Sequence, residues 1–283
     1  MTILKYVNKA LGVAAFAALA TISFGAHADA IIDCCFTTGV NTLQDSDADR
    51  ILRGGTAVTG GTFQSNDVIQ SLLRIDTVNG NDIQVATQNI NYQLIAIASL
   101  TLGAITDTNG GTCDVGDTCV AQATPTVNVY EFSNNSTNFL AQAPDTAIST
   151  ITSTGTLVLS LANTQPDDFW TITFTRTAAG EITTIASATP GSPQAGLFVF
   201  GTSATANPGN IPFTPNAMPD GVTGALHDFV GNGSGYQRET GVNSGWLFST
   251  NTSVSFLVVP EPGTLLLIGL GLSALGFGLR RKV

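Results

Sequence analysis

Apolar residues recur at every second position in several stretches of the chain, separated by Gly, Pro, Asn and Asp, and that period predicts strands with one buried face. The longest such stretch is residues 90–102. There Ile90, Tyr92, Leu94, Ala96, Ala98, Leu100 and Leu102 share one face, with Asn91, Gln93, Ser99 and Thr101 on the other. Residues 126–132 and 156–161 alternate in the same way. Residues 169–177 are the most regular, with Trp170, Ile172, Phe174 and Arg176 facing one way and Phe169, Thr171, Thr173 and Thr175 the other. Threonine at such positions tolerates water while its branched Cβ favours extended backbone. Further strands are expected at 181–187, 197–201, 245–249 and 253–259, the last two joined as a hairpin by a turn at Asn251. After Ser65-Asn66-Asp67, the spacing of Val68, Ile69, Leu72 and Leu73 predicts one short capped helix through Arg74. No other long helix is expected. Residues 203–224 hold Pro208, Pro212, Pro215 and Pro219 and predict a long loop.

Many short strands with frequent turns predict an all-β body, an antiparallel β-sandwich of jelly-roll type. A solenoid is the alternative, but no internal repeat of fixed period supports it. About 230 residues lie between the two unusual ends of the chain, enough for a single core.

The ends break the strand pattern. Lys5 and Lys9 precede an apolar run over residues 10–20, followed by Ala26-His27-Ala28. This is the layout of a secretory signal peptide, residues 1–28, cut by signal peptidase after Ala28. At the other end come Val259-Pro260-Glu261-Pro262-Gly263, an uncharged apolar run over 264–279, and Arg280-Arg281-Lys282. Sixteen helical residues rise roughly 24 Å against a hydrocarbon core of about 30 Å, so the predicted transmembrane helix is a marginal span. Gly269, Gly271, Gly276 and Gly278 loosen it further. A basic cluster flanks the cytoplasmic side, which places the body, residues 29–258, on the opposite side.

Pro-Glu-Pro, a glycine-dotted apolar helix and an arginine-rich end, in that order, resemble the PEP-CTERM sorting signal of exported bacterial proteins. The resemblance covers residues 259–283. It implies an exosortase as partner, a membrane protease or transpeptidase acting at or near Pro260, Glu261 and Pro262. It also implies a transient inner-membrane anchor with the body in the periplasm, then transfer to the cell surface or extracellular matrix.

Charge narrows the partners. The body carries nineteen acidic residues against five arginines, Arg50, Arg53, Arg74, Arg176 and Arg238, and contains no lysine. A surface this acidic repels phosphate backbones and excludes nucleic acid as a partner. Its abundant Thr, Ser, Asn, Gln and Gly suit a hydroxyl-rich exopolysaccharide.

The four cysteines, Cys34, Cys35, Cys113 and Cys119, read as disulfides in an exported chain. Cys113 and Cys119 enclose a five-residue loop suited to a local bridge, with Cys34 and Cys35 joined to each other or free. Bridges crossed between the two pairs are the alternative. The spacing does not fit zinc.

Candidate chemistry is sparse. After signal cleavage His227 is the sole histidine, so a Ser-His-Asp site would have to use it. Ser234 in Gly231-Asn232-Gly233-Ser234-Gly235 does not fit a nucleophile elbow, and the plainer reading is a strand-end histidine beside a glycine-rich turn. Asp45, Asp47 and Asp49 alternate as calcium-loop ligands do, but Arg50 and Thr56 occupy positions where glycine and glutamate belong. Asp107, Asn109, Asp114 and Asp117 form a second calcium candidate around the Cys113–Cys119 loop. At both places the alternative is a turn with solvated carboxylates. Asp167, Asp168, Glu131, Glu181 and Glu239 would serve a carboxylate-dependent glycosidase only if two of them met in space. Trp170, Trp246, Tyr92, Tyr130 and Tyr236 are candidates for a sugar-stacking face or, alternatively, for the core. The balance predicts no cofactor and a non-enzymatic structural or adhesive protein, with a carbohydrate-binding module or carbohydrate-active enzyme as the alternative.

Overall fold

The computed structural model describes residues 35–83, 93–133, 136–187, 193–239 and 241–259. The expected signal peptide with Ala28, the sorting residues Pro260, Glu261 and Pro262, the apolar run and the basic residues Arg280, Arg281 and Lys282 lie outside them. So do Cys34 and Tyr92.

Thirteen strands are described: β1 (Gly39–Arg53), β2 (Thr56–Val58), β3 (Val68–Val78), β4 (Asn81–Asp82), β5 (Gln93–Asp107), β6 (Thr118–Phe132), β7 (Thr156–Ala162), β8 (Phe169–Thr175), β9 (Pro193–Ala206), β10 (Met218–Pro219), β11 (Leu226–His227), β12 (Phe229–Gln237) and β13 (Phe248–Val258). Helix α1 (Pro144–Thr154) precedes β7, and α2 (Glu181–Ser187) follows β8.

The sheet closes on itself. Neighbours run β1, β13, β12, β9, then β7 and β8, then β6, β5 and β3, and β3 pairs back onto β1 over Leu43–Leu52. All these pairings are antiparallel. Strands β7 and β8 lie end to end in one position of the wall. Residues 126–131 of β6 pair with β7, and residues 118–122 pair with β8. The loop at 163–168 interrupts what would otherwise be one strand. The body is therefore a β-barrel, not the expected sandwich. The physical reason is that β1 finds a partner along both edges, which leaves the wall no free edge. Bulges at Asp76 of β3, at Gly103 and Ala104 of β5 and at Val158 of β7 bend those strands around the ring.

Inward positions fill the barrel with Ile69 and Ile75 of β3, Leu94 to Leu102 at alternate positions of β5, Ala121 and Val127 of β6, Trp170, Ile172 and Phe174 of β8, Phe200 of β9 and Phe256 of β13. The alternation expected for 126–132 and 169–177 holds, as does that for 90–102 over its described residues 93–102. On the outer face β6 exposes Gln122, Thr124 and Thr126. A second core lies outside the wall, where α1 covers Ala48, Leu72, Ile95 and Ile97 with Ala147 and Ile151.

That covering explains two corrections. The stretch expected to be a helix through Arg74 is strand β3. Both of its faces are buried, so inward Ile69 and Ile75 plus outward Leu72 imitate a helical spacing. Conversely, α1 was not expected because most of its residues are Thr and Ser. Pro144 starts it at a position where no N–H is needed. The hydroxyls of Thr150, Thr152 and Thr154 donate to carbonyls one turn back. Residues 181–187, expected as a strand, are helix α2, anchored by Glu181 and by the Ile182 N–H on the Gly61 carbonyl at 3.0 Å. The expected hairpin at Asn251 is instead one continuous strand, β13. The long loop at 203–224 is shortened at both ends, by β9 and by the β10–β11 pair. Among the described residues no helix is long and apolar enough to cross a membrane.

Candidate functional site

The barrel interior carries the least expected chemistry. Asp45, Asp47 and Asp49 lie within β1 rather than in a calcium loop, and Asp47 and Asp49 have no exposed surface. A strand gives alternate residues a common face, so the spacing that suggests a ligand loop here turns three carboxyls the same way. The β1–β13 ladder lapses between Gln44↔Ser253 and Asp49↔Phe248. Two of the carboxyls take over its work. Asp45 Oδ1 accepts the Thr252 N–H at 2.8 Å, and Asp47 accepts both the N–H and the hydroxyl of Thr250. Asp49 has no such role. Both its oxygens are buried without a hydrogen-bond partner, and its side chain borders an apolar cavity of ≈ 70 Å³.

Burial pushes all three carboxyls up. Asp45 is held well above the ordinary range, opposed by the Thr252 N–H and reinforced by Asp49 and Asp76. Asp47 is likewise raised, with repulsion from Asp49 and Asp45 adding to burial. Asp49 is raised to about 7, tempered by the nearby hydroxyls of Ser71 and Thr250.

Opposite this seam stands an aromatic slab. Trp170 and Phe200 stack at 4.0 Å, with Phe198 alongside. The slab fits because β12 turns Gly231 and Gly233 inward. A Cβ on Gly231 would lie 2.3 Å from Phe200 Cζ, and one on Gly233 equally close to Phe198 Cζ. Residues 231–235 are thus strand, not the expected glycine-rich turn. The signal in the sequence was the two-residue spacing of the glycines.

His227 sits outside the wall, fully buried, where its ring packs on Gly201. Its Nδ1 lies 3.1 Å from Asp168 Oδ1 and its Nε2 3.1 Å from Asp220 Oδ2. A Ser-His-Asp site needs a hydroxyl on one ring nitrogen, and here carboxylates occupy both. Ser203 donates to Asp168 instead, at 3.0 Å. Asp168 also accepts the N–H groups of Thr164 and Gln165, closing the turn expected before Phe169. Burial pushes the Asp220 carboxyl up, but the Thr223 hydroxyl, the N–H groups of Thr223 and Val222 and His227 outweigh it and hold the group well below the usual range. The cluster ties the 163–168 break, β9 and the β10–β11 pair together.

The remaining candidates separate. Cys113 and Cys119 are joined in a disulfide, and Cys35 is disulfide-bonded as well, so no bridge crosses to that loop. Asp107 Oδ1 accepts the N–H groups of Asn109 and Gly111, and Asp117 accepts that of Asp114. These carboxylates cap turns in the second calcium candidate. Among the described residues no group of three His, Cys, Asp or Glu side chains is placed to hold a metal ion. Trp170 is inside the barrel and Trp246 beneath α1, its Nε1 donating to the Gln142 carbonyl at 3.1 Å, so neither forms an exposed stacking strip. Tyr130 packs against the same outer core. Glu181 accepts the Phe63 N–H and faces Arg176. Asp168 is held against His227.

The chain enters the barrel at Gly39 and leaves it at Val258, and these two residues pair. Both therefore stand at one end, opposite the Cys113–Cys119 hairpin. Residues 258–282 match the family model of the PEP-CTERM protein-sorting motif. This chain carries a PEP-CTERM sorting signal. The match begins on the residue that ends β13, and it makes the chain an exosortase-sorted, exported protein. No curated protein and no solved structure matches the chain.

Proposed function

We propose that this PEP-CTERM protein is held briefly in the inner membrane with its barrel in the periplasm, processed near Pro260, Glu261 and Pro262, and released to the cell surface or exopolysaccharide matrix. There the barrel acts as a non-enzymatic structural or adhesive module. The observation that carries the reading is the junction itself, since the sorting motif follows the last barrel strand without a linker. While anchored, the barrel stands with its Gly39/Val258 end on the membrane and its disulfide-closed end outward. The described carboxylates supply further support. Of the glycosidase candidates, Glu181 is engaged by Arg176 and the Phe63 N–H and Asp168 by His227 and Ser203, whereas a glycosidase needs two carboxyls facing one another across a cleft.

One feature favours glycan binding as the form that adhesion takes. A surface groove of ≈ 220 Å³ runs along β12 and β13, lined by Asn232, Ser253, Ser255 and the ring of Phe169 under the turn at Asp220. Hydroxyl and amide groups beside one aromatic ring suit a sugar. The exported protein, mixed with exopolysaccharide from its own cells, is expected to co-sediment with it and release no reducing ends. Phe169→Ala should weaken that retention. Release of reducing ends would replace this reading with an enzyme, and absence of any retention would remove the adhesive role.

A further inference from the structure

The barrel interior contains two adjoining apolar cavities, of ≈ 70 and ≈ 80 Å³, which share Leu73, Ala98, Trp170 and Thr252 in their walls. Together they approach the roughly 150 Å³ that accepts a benzene ring in an apolar core. A dry, apolar lumen needs no polar groups, yet this one has several that form no hydrogen bond, although the Ser71 and Thr250 hydroxyls lie near Asp49 and the Thr250 hydroxyl is already given to Asp47. Both oxygens of Asp49, the Thr252 hydroxyl and the Trp170 Nε1 are buried without a hydrogen-bond partner, and all three side chains border the first cavity. Native interiors rarely leave such groups unpaired, because each one costs stability. The two neighbouring carboxyls differ, since Asp47 and one oxygen of Asp45 accept backbone N–H groups from β13 and complete the wall, leaving only Asp45 Oδ2 without a partner. Asp49 completes nothing and faces the cavity.

We propose that the barrel lumen binds a small amine with an apolar body, its ammonium donating to Asp49 and its body lying against the Trp170 and Phe198 rings. Three features favour an amine. Asp49 offers two acceptor oxygens, which matches an ammonium with its several donors. Aromatic faces attract a cation at close range. An anionic ligand would meet repulsion from the carboxyl and from the acidic body as a whole. The inference does not depend on what the outer surface binds.

The test uses the mature exported protein and three probes of one shape: benzylamine, benzyl alcohol and toluene. Binding is read by calorimetry and by Trp170 fluorescence in a Trp246→Phe background. The wild-type protein is expected to bind benzylamine at least about tenfold more tightly than the other two. Asn in place of Asp49 should abolish that preference while leaving toluene binding intact. It should also raise the unfolding temperature, because removing an unpaired buried carboxyl relieves a cost. A second variant, Gly235→Val, fills the first cavity without touching Asp49. A Cβ there would meet only Thr250 Cγ2 at 3.8 Å and Phe248 Cδ2 at 4.0 Å, so the chain has room to fold. It should lose binding of all three probes. Equal affinities for benzylamine and toluene in the wild-type protein, absence of binding by any probe, or a preference that survives in Asp49→Asn would each overturn the proposal. A lower unfolding temperature in Asp49→Asn would do so too, since it would make Asp49 part of the frame.

Discussion

Asp49 is a buried carboxyl raised to about 7 with no partner to balance its charge, and that fixes the sign of a pH effect. A carboxyl whose folded pKa exceeds its unfolded value of about 3.9 holds its proton more tightly when folded. The stability this supplies is fully present below about pH 4 and is lost as pH rises through the folded value. Asp45 and Asp47 are raised as well and act with the same sign. Asp220 acts with the opposite sign, because its lowered pKa stabilises above the unfolded value and fails as pH falls. The melting temperature is therefore expected to decline from about pH 5 to pH 8, and Asp49→Asn should flatten that decline, as circular dichroism across the range would show. An unchanged slope in the variant would place the effect on other groups. His227 gives a second prediction. Replacing it by leucine leaves two buried carboxylates facing an apolar side chain, which costs about 3–5 kcal/mol by analogy with broken buried pairs, measurable as a lower urea midpoint.

At the level of elements, legibility in the sequence depended on whether one face or two were covered. Strand β8 was plain, because its Thr face meets solvent and its Trp170, Ile172 and Phe174 face meets the core. Strand β3 was misread because α1 covers its outer face. Helix α1 was invisible because hydroxyl side chains bonded to their own backbone give no apolar period strong enough to notice. Of the β5–β6 hairpin only the cysteine-closed loop was legible, as a local bridge between Cys113 and Cys119. Removing that bridge by the double change Cys113→Ser and Cys119→Ser should cost about 2 kcal/mol, the entropy of so short a loop. Proteolysis of the variant is expected to begin inside residues 108–117. First cleavage elsewhere would show that the hairpin holds without its disulfide.

For the whole molecule, barrel closure and sorting meet at one place. Val258 closes the wall against Gly39 and begins the sorting motif. Pro260 lacks an N–H and cannot extend the ladder, so the strand stops where the motif starts. Loss of residues 264–283, or Glu261→Ala, is expected to change both the final mass of the protein and the compartment in which it is found, while the barrel still folds. Intact mass spectrometry of fractionated cells reads both. Variants that match the parent in mass and location would contradict exosortase processing at this motif.

The sequence by itself determined that the chain carries an export and sorting signal and where six of the thirteen described strands lie. Those properties rest on local order: an apolar length, a Pro-Glu-Pro, a basic flank and a two-residue period can each be read without knowing any long-range contact. Tertiary structure alone decided that the sheet closes, that Asp45, Asp47 and Asp49 point inward, and that His227 lies between Asp168 and Asp220. A period of two states which residues share a face, but which face is inside depends on partners as distant in sequence as β1 and β13.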